Sequence, residues 1–151
     1  MRFDPQKIRP PHFSIAYLVL AIILQIVFQP PSCISTLWHW FGLIVLGSGV
    51  WIMTQAHGRF AHKGTPVSHA ETPQGVVTDG LYRFSRNPMY VAGALFFLGI
   101  ALLVGTWPFF LSWLLTGATL NFFTIPWEEK RMEELFGAEY LNYKAKTRRW
   151  L

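Results

Sequence analysis

The stretch PMYVAGALFFLGIALLVG, from Pro88 to Gly105, is followed after one threonine by WPFFLSWLLTGATLNFFTIPW, from Trp107 to Trp127. Each stretch is close to the roughly 20 apolar residues that an α-helix needs to cross the hydrocarbon layer of a bilayer. Pro108 suits the first turn of a helix, where its missing N–H leaves no hydrogen bond unmade. The pair therefore predicts two transmembrane helices joined by a tight turn at Gly105 and Thr106.

Two further apolar stretches precede this hairpin, and lipid offers their backbone no hydrogen-bond partners, so each is expected to be helical. Apolar residues make up 52% of the sequence and charged residues 14%, whereas a soluble domain carries about 25% charged residues. The 151 residues suffice for one domain. We therefore expect an all-α, integral membrane domain over residues 1–151, with about four transmembrane helices at residues 13–29, 37–57, 88–105 and 107–127.

The basic residues predict the orientation of these helices. All thirteen lie in three segments: before the first helix, in the 58–87 loop, and after the fourth helix. The other two connections carry none. Because Lys and Arg concentrate on the cytoplasmic side of membrane proteins, both termini and the 58–87 loop are expected in the cytoplasm, with a bacterial inner membrane as the location. The net charge of +5 is therefore assigned to a membrane surface and not to nucleic acid.

The composition changes abruptly after Trp127, where the sequence reads EEKR over residues 128–131. Apolar residues then recur at helical spacing up to Phe136, and Gly137 is a typical stop or kink. The sequence therefore predicts an amphipathic C-terminal helix beyond the fourth transmembrane helix.

Two polar clusters fall at the predicted cytoplasmic ends of the hairpin. The first, residues 78–90, reads TDGLYRFSRNPMY. Within it, Arg86 suits the binding of a carboxylate, and the helix start at Asn87 and Pro88 favours an anionic group as well as capping. Because a hairpin brings its two ends together, we expect this cluster to face the second, which begins at Glu128 and Glu129.

These side chains suit a zwitterionic cofactor, but each also has a structural interpretation. Glu128 and Glu129 suit an ammonium group or ribose hydroxyls, and the rings of Tyr82 and Tyr90 suit a purine or a sulfonium. In the structural interpretation, the arginines anchor the protein at the membrane surface, and the glutamates lie in solvent where the helix leaves the membrane. The tyrosines then belong to the aromatic belt at the membrane interface. Composition alone leaves these alternatives open.

The run from Gly80 to Tyr90 resembles the first signature of the isoprenylcysteine carboxyl methyltransferase and phospholipid methyltransferase superfamily, which has Arg, His or Asn, Pro, one variable residue and Tyr. The run EEKR at 128–131, followed by LFGAEY at 135–140 and Tyr143, is similar to the second signature. The resemblance covers residues 37–151. Asn87 stands where the eukaryotic prenylcysteine enzymes have His, so the prenylcysteine substrate is not carried over.

The resemblance implies a methyltransferase that uses S-adenosylmethionine as its cofactor at the cytoplasmic face. It implies a cofactor pocket lined by Thr78, Gly80, Tyr82, Arg86, Asn87, Pro88, Tyr90, Glu128 and Glu129. For catalysis, Arg83 or Arg148 would hold an acidic acceptor and Glu129 would deprotonate or orient an amine. The acceptor is expected to be membrane-partitioned or amphipathic, and the sequence does not choose between a carboxylate, an amine and a thiol, nor does it fix the oligomeric state.

One weaker match involves Gly47-Ser48-Gly49, which corresponds to a Gly-x-Gly that phospholipid methyltransferases have in a preceding helix. Close helix packing is the alternative interpretation for such glycines. Contact of Gly47 or Gly49 with the cofactor is therefore left open.

Three other functions fit the sequence less well. A zinc site would use His57, His62 and His69, but their spacings match no common zinc pattern, so no metal is expected. A non-catalytic membrane subunit would use its cytoplasmic charges to bind anionic lipid or a protein partner. Sterol reductases share the C-terminal architecture but need many more helices than this chain provides.

Overall fold

The computed structural model describes residues 10–62 and 75–151, and over these residues the chain is all-helical. Six α-helices lie in chain order: α1 Pro10–Phe28, α2 Thr36–His62, α3 Pro88–Val104, α4 Trp107–Thr119, α5 Ile125–Phe136 and α6 Ala138–Lys146. A 3₁₀ turn, Gly80–Arg83, precedes α3. The N-terminal basic residues and loop residues 63–74, which include His69, lie outside the described residues.

Within residues 10–62 and 75–151, two helical spans are long and apolar enough to cross a membrane: Thr36–Arg59, of 24 residues, and Trp107–Phe136, of 30 residues. The apolar helices His12–Phe28 and Pro88–Val104 are shorter. In the most apolar part of the span, only 17% of the residues are buried in Thr36–Arg59 and only 33% in Trp107–Phe136. The core helix of a soluble protein would be mostly buried, so these faces suit lipid. The expected count of four membrane spans stays a prediction.

The predicted hairpin forms as expected. Pro88 and Pro108 lie in the first turns of α3 and α4, and the turn between these helices is Gly105 and Thr106. Gly105 has φ +76°, a left-handed conformation that glycine adopts at no steric cost. Its N–H donates to the carbonyl oxygen of Ala101 at 2.8 Å, which closes the C-terminal end of α3. This turn brings the start of α3 and the end of α4 to the same end of the helix bundle.

Helix α2 lies along α3, and α1 packs on α4. A Cβ atom on Gly49 would lie 2.8 Å from both the carbonyl oxygen of Ala92 and the backbone nitrogen of Phe96. Glycine at this position therefore lets the backbones of α2 and α3 approach closely. Gly47 faces open space instead. Within the Gly-x-Gly triplet, Gly49 thus serves helix packing.

The C-terminal part of the chain forms two helices where one was predicted. A π-helical segment, Leu120–Thr124, continues α4 into α5, so Glu128 lies in the first turn of α5. Helix α5 ends at Phe136, and Gly137 has φ +51° before α6 begins. The kink predicted at Gly137 is confirmed. It turns α6 back toward the start of α3, where the functional candidates lie.

Candidate functional site

Glu129 is a buried carboxylate whose two oxygens both face guanidinium groups. Its Oε1 accepts hydrogen bonds from Nη2 of Arg86 at 2.7 Å and from Nε at 3.2 Å. Its Oε2 accepts from Nη2 of Arg149 at 2.9 Å, and Nζ of Lys144 lies 3.6 Å from the same oxygen. The side chain of Glu129 is only 5% exposed. Because its partners are charged donors, the cost of burying this carboxylate is offset by charge-assisted hydrogen bonds.

Arg86 uses its remaining donors on the end of α6. Its Nη1 donates to the carbonyl oxygens of Lys144 at 3.0 Å and Thr147 at 2.5 Å. With the two bonds to Glu129, Arg86 joins the start of α3 to α5 and to the C-terminal end of α6. Its side chain is 9% exposed. In this structure its guanidinium is therefore engaged by the protein itself.

The chain after α6 is held against the start of α3 by hydrogen bonds to its backbone. The N–H of Arg86 donates to the carbonyl oxygen of Arg148 at 2.9 Å. The carbonyl oxygen of Arg149 accepts from Nδ2 of Asn87 at 3.0 Å and from Oγ of Ser85 at 3.4 Å. These bonds fix the position of the Arg149 side chain that reaches Glu129.

The prediction that Asn87 caps α3 is correct for its position and wrong for its side chain. Asn87 precedes α3, but its side chain makes no capping hydrogen bond. The amide nitrogen of this side chain donates instead to the carbonyl oxygen of Arg149. The backbone N–H of Asn87 is satisfied by Oγ of Ser85 at 3.1 Å.

Glu128 is the second carboxylate at this end, and it lies beside aromatic side chains. Its Oε1 accepts a hydrogen bond of 2.5 Å from the hydroxyl of Tyr90, on the first turn of α3. Tyr82 is buried close by, and its carbonyl oxygen accepts from the hydroxyl of Tyr143 at 2.7 Å. Burial, and then the charges of Tyr143 and Glu128, raise the pKa of Tyr82 above its ordinary value. Tyr82 is therefore a neutral phenol at physiological pH.

The predicted proximity of the two clusters is thus observed, since Arg86 contacts Glu129 and Tyr90 contacts Glu128. Pro88 is buried in the first turn of α3, close to these pairs in sequence, and Thr78 is exposed. The side chains of Arg83 and Arg148 are exposed and take no part in the hydrogen bonds described above.

A pocket of about 390 Å³ lies beside the 3₁₀ turn. It is lined by Trp51, Gln55, Arg59, Gly80, Leu81, Arg83 and Phe84. Two of the sequence-predicted residues, Gly80 and Arg83, therefore line this pocket. Gly80 has φ +60°, and a Cβ there would lie 2.7 Å from Nε of Arg59, so a glycine makes room for this arginine.

Several residues that complete the arrangement were not predicted from the sequence. Ser85 and Thr147 are buried polar residues whose partners lie about 60 positions away along the chain. In addition, Nε1 of Trp150 donates to Oδ1 of Asn121 in the π-helical segment at 2.9 Å. No local pattern marks such long-range partners, although an Asn inside an apolar helix is a signal that could have been followed.

No three His, Cys, Asp or Glu side chains in the described parts of the chain are placed to hold a metal ion. Nδ1 of His57 lies 3.1 Å from the carbonyl oxygen of Met53 in its own helix. His69 and the side chain of His62 lie outside the described residues.

The family model described as phospholipid methyltransferase matches residues 37–139, which is more than half of the chain. The chain belongs to the phospholipid methyltransferase family. The match contains the first signature cluster and most of the second, up to residue 139, and the resemblance noted from the sequence is confirmed. As a member of the phospholipid methyltransferase family, the chain is a membrane methyltransferase. No curated protein and no solved structure matches it.

In this chain, the matched residues contain both glutamates and their partners Arg86 and Tyr90, whereas Arg149 and Trp150 lie beyond residue 139. The signature residues therefore account for the Arg86–Glu129 and Tyr90–Glu128 pairs. The segment that follows α6 adds the second guanidinium to Glu129.

Proposed function

We propose that this chain transfers a methyl group from S-adenosylmethionine to a membrane-partitioned or amphipathic acceptor at the cytoplasmic face of a bilayer. Family membership supports methyl transfer. The cofactor and its place are supported by the pairing of the two signature clusters, which puts the Glu128 carboxylate against Tyr90 and close to Tyr82. A carboxylate between aromatic rings suits a cationic cofactor.

The proposed topology has four membrane spans: α1, α2, α3, and α4 with its continuation into α5. Helix α3 has 17 residues, and at 1.5 Å per residue such a helix spans about 26 Å, near the thickness of a bilayer core. The distribution of basic residues supports cytoplasmic termini. This orientation puts Glu128 and Arg86 on the side of the membrane where S-adenosylmethionine is available.

The residues present fit this cofactor by their chemistry. The carboxylate of Glu128 suits its ammonium group or ribose hydroxyls, and the rings of Tyr82 and Tyr90 suit its sulfonium or adenine. The start of α3, at Asn87 and Pro88, suits its carboxylate. Thr78 and Gly80 belong to the segment that leads into Tyr82 and complete the proposed lining.

When bound, S-adenosylmethionine supplies a methyl group that is already activated on a sulfonium sulfur. The protein is therefore left to hold and orient the reactants and to exclude water. We assign the holding role to Arg86, Glu129 and Arg149, since their ion pairs fasten the segment after α6 over the start of α3. A direct role of Glu129 as a base, or of Arg86 as a clamp for the cofactor, would require breaking these buried ion pairs.

Of the two arginines considered for holding an acidic acceptor, Arg83 is favoured. It lines the pocket beside the 3₁₀ turn, and that turn contains Tyr82. Arg148 contributes its carbonyl oxygen to the start of α3, while its exposed side chain has Nη1 3.5 Å from the carbonyl oxygen of Leu151. The acceptor is therefore proposed to approach from the side of α2.

Calorimetric titration of S-adenosylmethionine into detergent-purified protein tests this proposal. Glu128→Gln and Tyr90→Phe are the informative variants, because changes at Arg86 or Glu129 would disturb folding as well as binding. We expect saturable one-site binding that weakens about tenfold in Glu128→Gln, the effect of losing one charged hydrogen-bond partner. Tyr90→Phe keeps the ring and should weaken binding only a few-fold.

The matched control is Glu134→Gln, which makes the same change at an exposed position of the same helix. It should bind as the wild type does. Absence of saturable binding by folded wild-type protein would overturn the proposal and favour a scaffold that binds lipid or a partner. Equal binding by Glu128→Gln and Glu134→Gln would move the cofactor away from Glu128.

A further inference from the structure

The pocket beside the 3₁₀ turn extends along one face of α2. Trp51, Gln55 and Arg59 line it from α2, and they follow one another at intervals of four residues. Eight residues of α-helix span about 12 Å. The pocket therefore runs from a tryptophan within the apolar part of α2 to an arginine near its charged end.

The described residues that line this pocket carry a net positive charge. Two guanidiniums, those of Arg59 and Arg83, line it, and the described lining residues include no carboxylate. Asp79 lies next to the pocket and pairs with Arg59 at 3.8 Å, but both side chains are about half exposed, at 47% and 48%. Such a long, solvent-exposed pair is weak, so an incoming anion competes with it. The pocket thus suits an anionic group and disfavours a ligand of net positive charge.

The aromatic residues of the pocket face outward. The side chain of Trp51 is 59% exposed and that of Phe84, which directly follows the 3₁₀ turn, is 69% exposed. Aromatic rings beside arginines are typical of the level at which lipid headgroups meet the hydrocarbon layer. A small water-soluble anion would contact the arginines but leave these rings exposed. An amphiphile would contact both the arginines and the aromatic rings.

We propose that this pocket binds the headgroup of an anionic amphiphile. Arg83 and Arg59 hold its phosphate or carboxylate, and Trp51 and Phe84 contact the beginning of its apolar chain. None of the described lining residues is a carboxylate, and Asp79 beside the pocket is already paired with Arg59, so these residues favour an anionic lipid over a zwitterionic one. Because the same pocket is proposed above to receive the methyl acceptor, this inference rests on the proposed function where it names the acceptor class, whereas binding itself can be tested without methyl transfer.

Native mass spectrometry of the detergent-solubilised protein tests this proposal with two probes, phosphatidylglycerol and phosphatidylcholine, added at equal concentration. We expect phosphatidylglycerol to bind several-fold more tightly. Arg83→Gln should weaken the binding of phosphatidylglycerol about tenfold and leave the binding of phosphatidylcholine nearly unchanged, as expected for the loss of one charge-assisted contact. Because Arg83 is exposed, this variant should fold as the wild type does.

The matched control is Lys130→Gln, which removes one positive charge at a side chain that is 78% exposed and does not line the pocket. Equal losses in both variants would show that general surface charge attracts the lipid, and would overturn the proposal. Equal binding of the two lipids by the wild type would overturn it too. Displacement of phosphatidylglycerol by an equal concentration of glycerol 1-phosphate would assign the pocket to free phosphate esters instead. Since no cofactor is added, failure here leaves the calorimetric test of the methyltransferase proposal intact.

Discussion

Replacing Glu129 with Gln should destabilise the protein more than any comparable change on the surface of α5. The substitution keeps the size of the side chain and removes its negative charge. Arg86, which is 9% exposed, then remains buried without a counter-charge. In addition, the single amide oxygen of the new side chain can accept from only one of the two guanidiniums, so its NH₂ group is left facing the donors of the other.

The size of the effect follows from the burial of each partner. Removing one partner of a buried ion pair costs about 3–5 kcal/mol, because the remaining charge is left uncompensated. Arg149 is 36% exposed and water can solvate its charge, so the loss of its ion pair with Glu129 adds little to the destabilisation. We therefore expect Glu129→Gln to lower the free energy of unfolding by about 3 kcal/mol. In Glu134→Gln, the lost partner is Lys130 at 3.9 Å with 78% exposure, and the expected cost is under about 0.5 kcal/mol.

Unfolding of both variants by sodium dodecyl sulfate in mixed micelles, followed by tryptophan fluorescence, measures the two free energies on the same scale. Limited trypsin digestion provides a local readout, since release of α6 unfolds the backbone around Lys144 and Lys146 and makes these peptide bonds cleavable. Equal stability of Glu129→Gln and Glu134→Gln, with no faster cleavage in α6, would refute the argument that Glu129 fastens the C-terminal segment.

Two further predictions concern helix packing and alkaline pH. Gly49→Ala should lower the free energy of unfolding by about 1–3 kcal/mol, because its Cβ would meet backbone atoms of α3. Gly47→Ala, in open space, should be neutral or stabilising by up to about 1 kcal/mol. The same unfolding assay compares the two variants, and equal losses of stability would contradict this packing. Burial, and then the charge of Glu129, raise the pKa of Tyr140 to about 12. Its ordinary pKa is 10.0, so between pH 10 and 12 the unfolded chain loses a proton that the folded chain keeps, and stability falls as the pH rises. Unfolding free energies across this range should fall less steeply in Tyr140→Phe, and an unchanged slope would contradict the assignment to Tyr140.

The sequence predicted the helices well wherever proline or glycine marks a boundary. Helix α3 begins at Pro88, α4 begins at Trp107, and the kink falls at Gly137, each as expected. These residues restrict the backbone locally, so their effect can be inferred without knowing the fold. The π-helical segment around Asn121 was not predicted, because the uniformly apolar residues on both sides do not distinguish it from an α-helix.

For the candidate site, the sequence predicted which clusters meet but not which atoms bond. The hairpin turn at Gly105 and Thr106 brings the start of α3, with Tyr90, to the same end of the bundle as Glu128. The engagement of Arg86 with Glu129 and with the α6 carbonyls depends on the kink at Gly137, which turns α6 back onto α3. Likewise, Asn87 bonds to a carbonyl 62 positions away, and no short-range pattern encodes that contact.

The most direct test of the central proposal is transfer of an isotopically labelled methyl group from S-adenosylmethionine into a membrane lipid extract. The assay uses the purified full chain in vesicles, followed by separation of the organic and aqueous phases. The proposal predicts labelled product in the organic phase with wild-type protein and with Glu134→Gln, and about tenfold less with Glu128→Gln. Label no higher than with heat-inactivated protein, from vesicles in which the wild type is folded and binds S-adenosylmethionine, would contradict methyl transfer to a membrane-partitioned acceptor.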